Sequence, residues 1–141
     1  DIGVEAVRQC AGDLHQHSAF DLADALGQRN GKRAFGLLRQ VLSDEKRALP
    51  VLHALVSHFR RLWQVKDLRD SRAPDSQIER EVGLYGAKVR ALVGQSRSFS
   101  YTDLQHVLHQ ASCLDIALKS SRTPQQVLFD AFILEVCRRD A

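Results

Sequence analysis

Apolar positions along this chain recur at steps of three and four residues, and no run of alternating β-branched or aromatic residues interrupts them. That period predicts an all-α fold. Ile2, Val4 and Val7 begin a short opening helix that ends near Gly12, and a polar stretch with His15 and His17 follows. Ser18 stands where it can cap a helix carrying Phe20, Leu22, Ala23 and Leu26, with Gly27 as its left-handed exit. Ala34, Leu37, Leu38, Val41 and Leu42 then give the stripe of a core-facing helix. A longer stripe runs from the first-turn proline Pro50 through Leu52, Leu55, Val56, Phe59, Leu62, Trp63 and Lys66 to about Leu68.

Shorter pieces come next. Ser76 and Glu79 have capping-box spacing ahead of Ile78 and Val82, and Gly83 to Gly86 break the chain before a helix bearing Val89, Leu92 and Val93. Ser100 and Asp103 form a second cap, opening a helix through Leu104, Leu108, Ala111 and Leu118. Thr123, Pro124 and Gln126 suggest a cap, a first-turn proline and a completed box for a last helix running toward Arg138 and Arg139, cations that suit its carbonyl end. The result is a compact bundle of about seven helices.

Composition narrows the class. With 141 residues, 44% hydrophobic and 26% charged, the chain has one core's worth of material and no disordered or collagen-like bias. No apolar run approaches the roughly 18 to 20 residues of a membrane span, and the opening residues lack a secretory pattern. Cys10, Cys113 and Cys137 are an odd, widely spaced set, which points to reduced thiols in the cytoplasm. A chain with no methionine that begins at Asp1 reads as a piece of a longer protein. The net charge of +3 permits nucleic-acid contact without requiring it.

Catalytic signals fail on inspection. Gly27, Gly31, Lys32 and Arg33 resemble a phosphate loop, but the spacing is one residue short, the following hydroxyl is missing and no strand precedes. His106, His109 and Cys113 share one side of a helix, yet neither a fourth ligand nor a zinc motif accompanies them, so no metal and no cofactor is implied. No nucleophile elbow surrounds any serine. Asp115 lies on the apolar stripe of its helix; Lys119, four residues on, is its expected partner, and Lys66 is a second misplaced charge, giving a structural ion pair between packed helices. The last helix is the strongest signal. Val127, Leu128, Phe129, Ala131, Phe132, Ile133, Leu134, Val136 and Cys137 leave only Asp130 and Glu135 as polar breaks, more apolar surface than a small bundle covers at its edge. It predicts either a central helix or a partner surface. A different class, a helix-turn-helix over residues 76–97 with Lys88, Arg90, Gln95 and Arg97 toward DNA, is the alternative.

The order of Phe20-Asp21-Leu22-Ala23-Asp24-Ala25, Leu37-Leu38-Arg39-Gln40-Val41-Leu42, Phe59-Arg60-Arg61-Leu62, Val65-Lys66-Asp67-Leu68 and Asp115-Ile116-Ala117-Leu118-Lys119-Ser120 resembles the C-terminal part of the bacterial DNA polymerase III δ subunit, over nearly the whole chain. The resemblance implies that residues 1–15 are the tail of a lid domain and residues 16–141 a helical collar domain. It implies a non-catalytic scaffold in a five-membered clamp loader acting in DNA replication. Its partners would be the ATPase subunits of γ/τ type and a δ′-type subunit, and a sliding clamp would be reached only through an N-terminal domain absent here. On this resemblance Leu128, Phe129, Phe132, Ile133 and Val136 are core or subunit-facing positions, and Tyr85, Lys88 and Arg90 are candidate contacts to primed DNA.

Overall fold

The computed structural model describes residues 19–43 and 45–138. The opening helix, the residue 1–15 tail, Cys10 and the Ser18 cap lie outside them. All regular structure among the described residues is helical: α1 (residues 19–27), α2 (Gly31–Val41), one 3-10 turn (Glu45–Arg47), α3 (Ala48–Asp70), α4 (Asp75–Val82), α5 (Ala87–Ser96), α6 (Tyr101–Ser120) and α7 (Gln125–Cys137).

The spine is α3, whose 23 residues span about 34 Å at the helical rise. One face buries Val51, Leu52, Leu55, Phe59, Leu62 and Val65, and against it pack α4, α5 and α6, while α7 lies between α6 and α2. At the centre Phe59 meets Phe99 edge to face, ring centroids 5.4 Å apart, a geometry that adds about 0.5–1.5 kcal/mol beyond the area it buries. The far end of α3 is tied to the start of α6: the Tyr101 hydroxyl lies 2.8 Å from both Asp67 Oδ1 and Asp70 Oδ2, and its ring packs on Trp63. Hydrogen bonding to those two carboxylates holds the Tyr101 hydroxyl above its ordinary pKa of 10.

Helix ends follow the sequence unevenly. Ser100 and Asp103 do form a reciprocal capping box on α6. The other two expected boxes are absent: Pro74 and Pro124 occupy the N-cap positions of α4 and α7 with no side-chain cap. A proline there already supplies the extended backbone that a helix entry needs, and at α7 the Thr123 hydroxyl is engaged outside the helix, accepting from Ser121 Oγ. Gly27 is not the left-handed exit of α1. That role falls to Arg29, at φ 56°, within a Schellman turn closed by Asn30 N–H to Ala25 C=O (2.8 Å) and Arg29 N–H to Leu26 C=O (3.0 Å).

Candidate functional site

The last helix is neither central nor bare. Phe129, Phe132, Ile133 and Val136 repeat at three- and four-residue steps and are 0–3% exposed, sealed against this chain's own core, and Leu128 is half-buried at their edge. These residues therefore take the core half of their expected role. The surplus apolar surface lies on the opposite side of α7, where Val127 is 53% exposed, Leu134 is 61% exposed and Ala131 stands exposed between them. Two helical turns, about 10 Å, separate the first and last of these.

One residue anchors the carboxyl end of that helix. Arg29 projects from the α1 exit with its side chain 7% exposed, and all five guanidinium N–H groups find an acceptor. Nε and Nη2 both donate to the Ser98 carbonyl (3.2 and 2.9 Å), Nη2 also donates to Asp103 Oδ2 (3.1 Å), and Nη1 donates to the carbonyls of Val136 (3.3 Å) and Arg138 (2.8 Å). The guanidinium plane rests on the Phe99 ring, 4.1 Å from its centroid. The last two acceptors are carbonyls at the end of α7, which have no partner inside their own helix. Asp103 serves the Arg29 pair and the α6 cap together; hydrogen bonding to Ser100 and the nearby guanidinium hold its carboxyl below the usual value, partly opposed by burial. Nothing in the sequence pattern marks Arg29, because a charged residue in a short helix-to-helix loop reads as solvent-facing.

The other expected residues are more dispersed. Asp115 and Lys119 do pair, Nζ to Oδ2 at 3.0 Å, but along one helix at the surface rather than between packed helices, with side chains 30% and 58% exposed. Lys66 takes no part in that pair and lies over the Tyr101 ring, 5.1 Å from its centroid. His106 turns away from a shared metal site toward Glu135 (Nε2 to Oε2, 3.2 Å), while His109 and Cys113 face each other at 3.7 Å. Among the described residues no group of three ligating side chains is placed to hold a metal ion. Tyr85, Lys88 and Arg90 are all exposed, Tyr85 on the α4–α5 turn and the two cations on α5. Both short helices lean on α3.

The family model for the DNA polymerase III delta subunit, C-terminal domain, matches residues 16–136. The chain belongs to that family. The delta subunit of DNA polymerase III from Bacillus subtilis (strain 168) is 19% identical over 140 residues, an alignment covering 99% of this chain and 40% of that protein. The solved structure of the Bacillus subtilis DNA clamp loader delta protein superposes with a TM-score of 0.73 at 19% identity, over 89% of this chain and 37% of that one. The delta domain described here thus spans about two fifths of the relatives it matches, and shares their fold.

Inside the delta domain a second polar cluster was invisible to periodicity. Gln95, expected on an outward DNA-facing surface, is 5% exposed: its Nε2 donates to Asp24 Oδ1 (3.2 Å) and its Oε1 lies 2.7 Å from His58 Nε2, which must carry the proton in that bond. The chain of bonds links α1, α5 and α3. It fits because Gly27 has no side chain: a Cβ there would stand 2.0 Å from Gln95 Oε1. Burial lowers the His58 pKa below its ordinary 6.5, and Arg61 adds to that, against opposing pulls from Gln95 and Asp24. No described helix is long and apolar enough to cross a membrane.

Proposed function

We propose that this delta domain is a non-catalytic scaffold that holds its subunit in a cytoplasmic clamp loader, and that the outer side of α7 is where a neighbouring subunit docks. The observation that carries this is the split of α7 into two apolar sides, one closed by the chain's own core and one left open at Val127, Ala131 and Leu134. Apolar side chains kept on a surface helix at this spacing suit a second helix, and alanine between them permits close approach. The clamp-loader assignment draws on the name of the Bacillus subtilis relative. The partners on this reading are ATPase subunits of γ/τ type and the δ′-type subunit, with the sliding clamp engaged by a part of the subunit that this chain does not include.

The test is co-elution of the full-length subunit with purified loader ATPase subunits in gel filtration. Val127→Glu together with Leu134→Glu is expected to leave the circular dichroism spectrum unchanged and to abolish co-elution, because a buried unpaired carboxylate costs several kcal/mol. Undiminished assembly refutes the docking face. A contact with primed DNA belongs to the same proposal. Tyr85, Lys88 and Arg90 stand exposed, an aromatic face and two cations suited to stacking and phosphate contact. Replacing Lys88 and Arg90 with alanine should reduce the salt dependence of the loader's DNA affinity by roughly one unit of slope per cation, equally for all sequences. Base preference that survives high salt would favour the helix-turn-helix reading instead.

A further inference from the structure

We propose that Arg29 is the positioning residue of the α7 docking face, setting the angle at which Val127, Ala131 and Leu134 are presented to a partner; this rests on the docking reading above. Arg29 is the polar joint through which the end of α7 is fixed to the α5–α6 corner. Its five N–H groups are divided between the Ser98 carbonyl and Asp103 carboxylate on one side and the Val136 and Arg138 carbonyls on the other. Leu134 lies two residues before the first of those carbonyls, so a shift of the joint is passed directly to the exposed side chain. The backbone argues that this arginine is held for its side chain. Arg29 occupies the left-handed exit position at φ 56°, where glycine has no steric cost and a side chain carries strain of order 1 kcal/mol. Lysine cannot replace it: three donors on one nitrogen cannot span acceptors set on opposite sides of a planar fork, nor stack flat on Phe99.

The experiment measures the dissociation constant of the full-length subunit for the loader ATPase subunits, well below the melting temperature of every variant. Arg29→Lys is expected to weaken binding at least tenfold. Combined with Leu134→Ala it should lose at least threefold less than the product of the two single effects, since Leu134 contributes fully only when the joint holds α7 in place. Gly27→Ala, which lowers stability without touching α7, should leave the constant within twofold. Asp103→Asn, which keeps Arg29 and its carbonyl bonds but removes the ion pair, should weaken binding about threefold, and it decides the matter if Arg29→Lys does not fold. The inference is overturned if the folded Arg29→Lys protein binds within twofold of the parent, if its effect and that of Leu134→Ala simply multiply, or if Gly27→Ala weakens binding as much. If instead Val127→Glu with Leu134→Glu leaves assembly intact, it is the docking reading that fails.

Discussion

Gly27→Ala sets two effects of known size against each other. Exchanging a helical glycine for alanine ordinarily stabilises by about 0.5–1 kcal/mol, because alanine has less backbone freedom to lose on folding. At position 27 the new Cβ would sit 2.0 Å from Gln95 Oε1 and 2.6 Å from its Cδ. The Gln95 amide must swing away, and it cannot do so without breaking its bonds to His58 and Asp24. Leaving the buried His58 and the half-buried Asp24 without this partner costs about 1–3 kcal/mol for each, so the expected net is a loss of about 1–5 kcal/mol. The same exchange at Gly36 and Gly94, where nothing lies within 4 Å of an added Cβ, should give only the favourable term, raising stability by about 0.5–1 kcal/mol. Urea unfolding of the three variants separates the cases. The background Gln95→Ala makes the test sharper: it opens the space, so Gly27→Ala added to it should be neutral or stabilising. A loss that persists in that background, or a Gly27→Ala protein as stable as Gly94→Ala, would refute the packing argument.

Arg72→Gly should stabilise by about 1 kcal/mol, read as an upward shift in melting temperature, because Arg72 also holds a left-handed exit (φ 60°) while its side chain makes no hydrogen bond or ion pair among the described residues. Stability should be full above pH 6.5 and decline as the pH falls through and below it, since the unfolded chain takes up the His58 proton before the folded one does; urea titrations that show no such slope, or an equal slope in His58→Gln, count against the buried cluster. Lys119→Ala should change the unfolding free energy by less than about 0.5 kcal/mol, as an exposed pair along one helix does, and a loss above 2 kcal/mol would mean that Asp115 is effectively buried. Added zinc should leave the melting temperature unmoved, because His106 is directed to Glu135 and not to His109 and Cys113.

The helices were legible because burial on one side of a helix writes a three- and four-residue period into the chain. The stripe of Leu52, Leu55, Phe59 and Leu62 is buried as its spacing implies, and the Ser100–Asp103 box works because both partners are local. What stayed hidden depends on tertiary distance. Arg29 meets Asp103 across 74 residues and Arg138 across 109, and Gln95 meets Asp24 across 71. No local rule marks a polar residue for burial when the groups that satisfy it come from two other helices far along the chain. Gly27 shows the same limit: sequence supports a glycine near a helix end, yet whether it is there for its φ or for its missing Cβ depends on what stands opposite.

The last helix carries the consequence for function. An apolar residue at every third or fourth position announces one buried side, and α7 has apolar residues at nearly all positions, so periodicity gave no phase from which to choose a side. Packing against the other helices supplies it. Phe129, Phe132, Ile133 and Val136 fill the interior, where burial of large side chains contributes most, and Val127, Ala131 and Leu134 are left outside. A partner that approached through Phe129 or Phe132 would have to unfold the domain first. One that approaches over Ala131 meets a ready surface, which is why charged substitutions at 127 and 134 should separate assembly from folding, while the same substitutions at 129 and 132 should destroy both together.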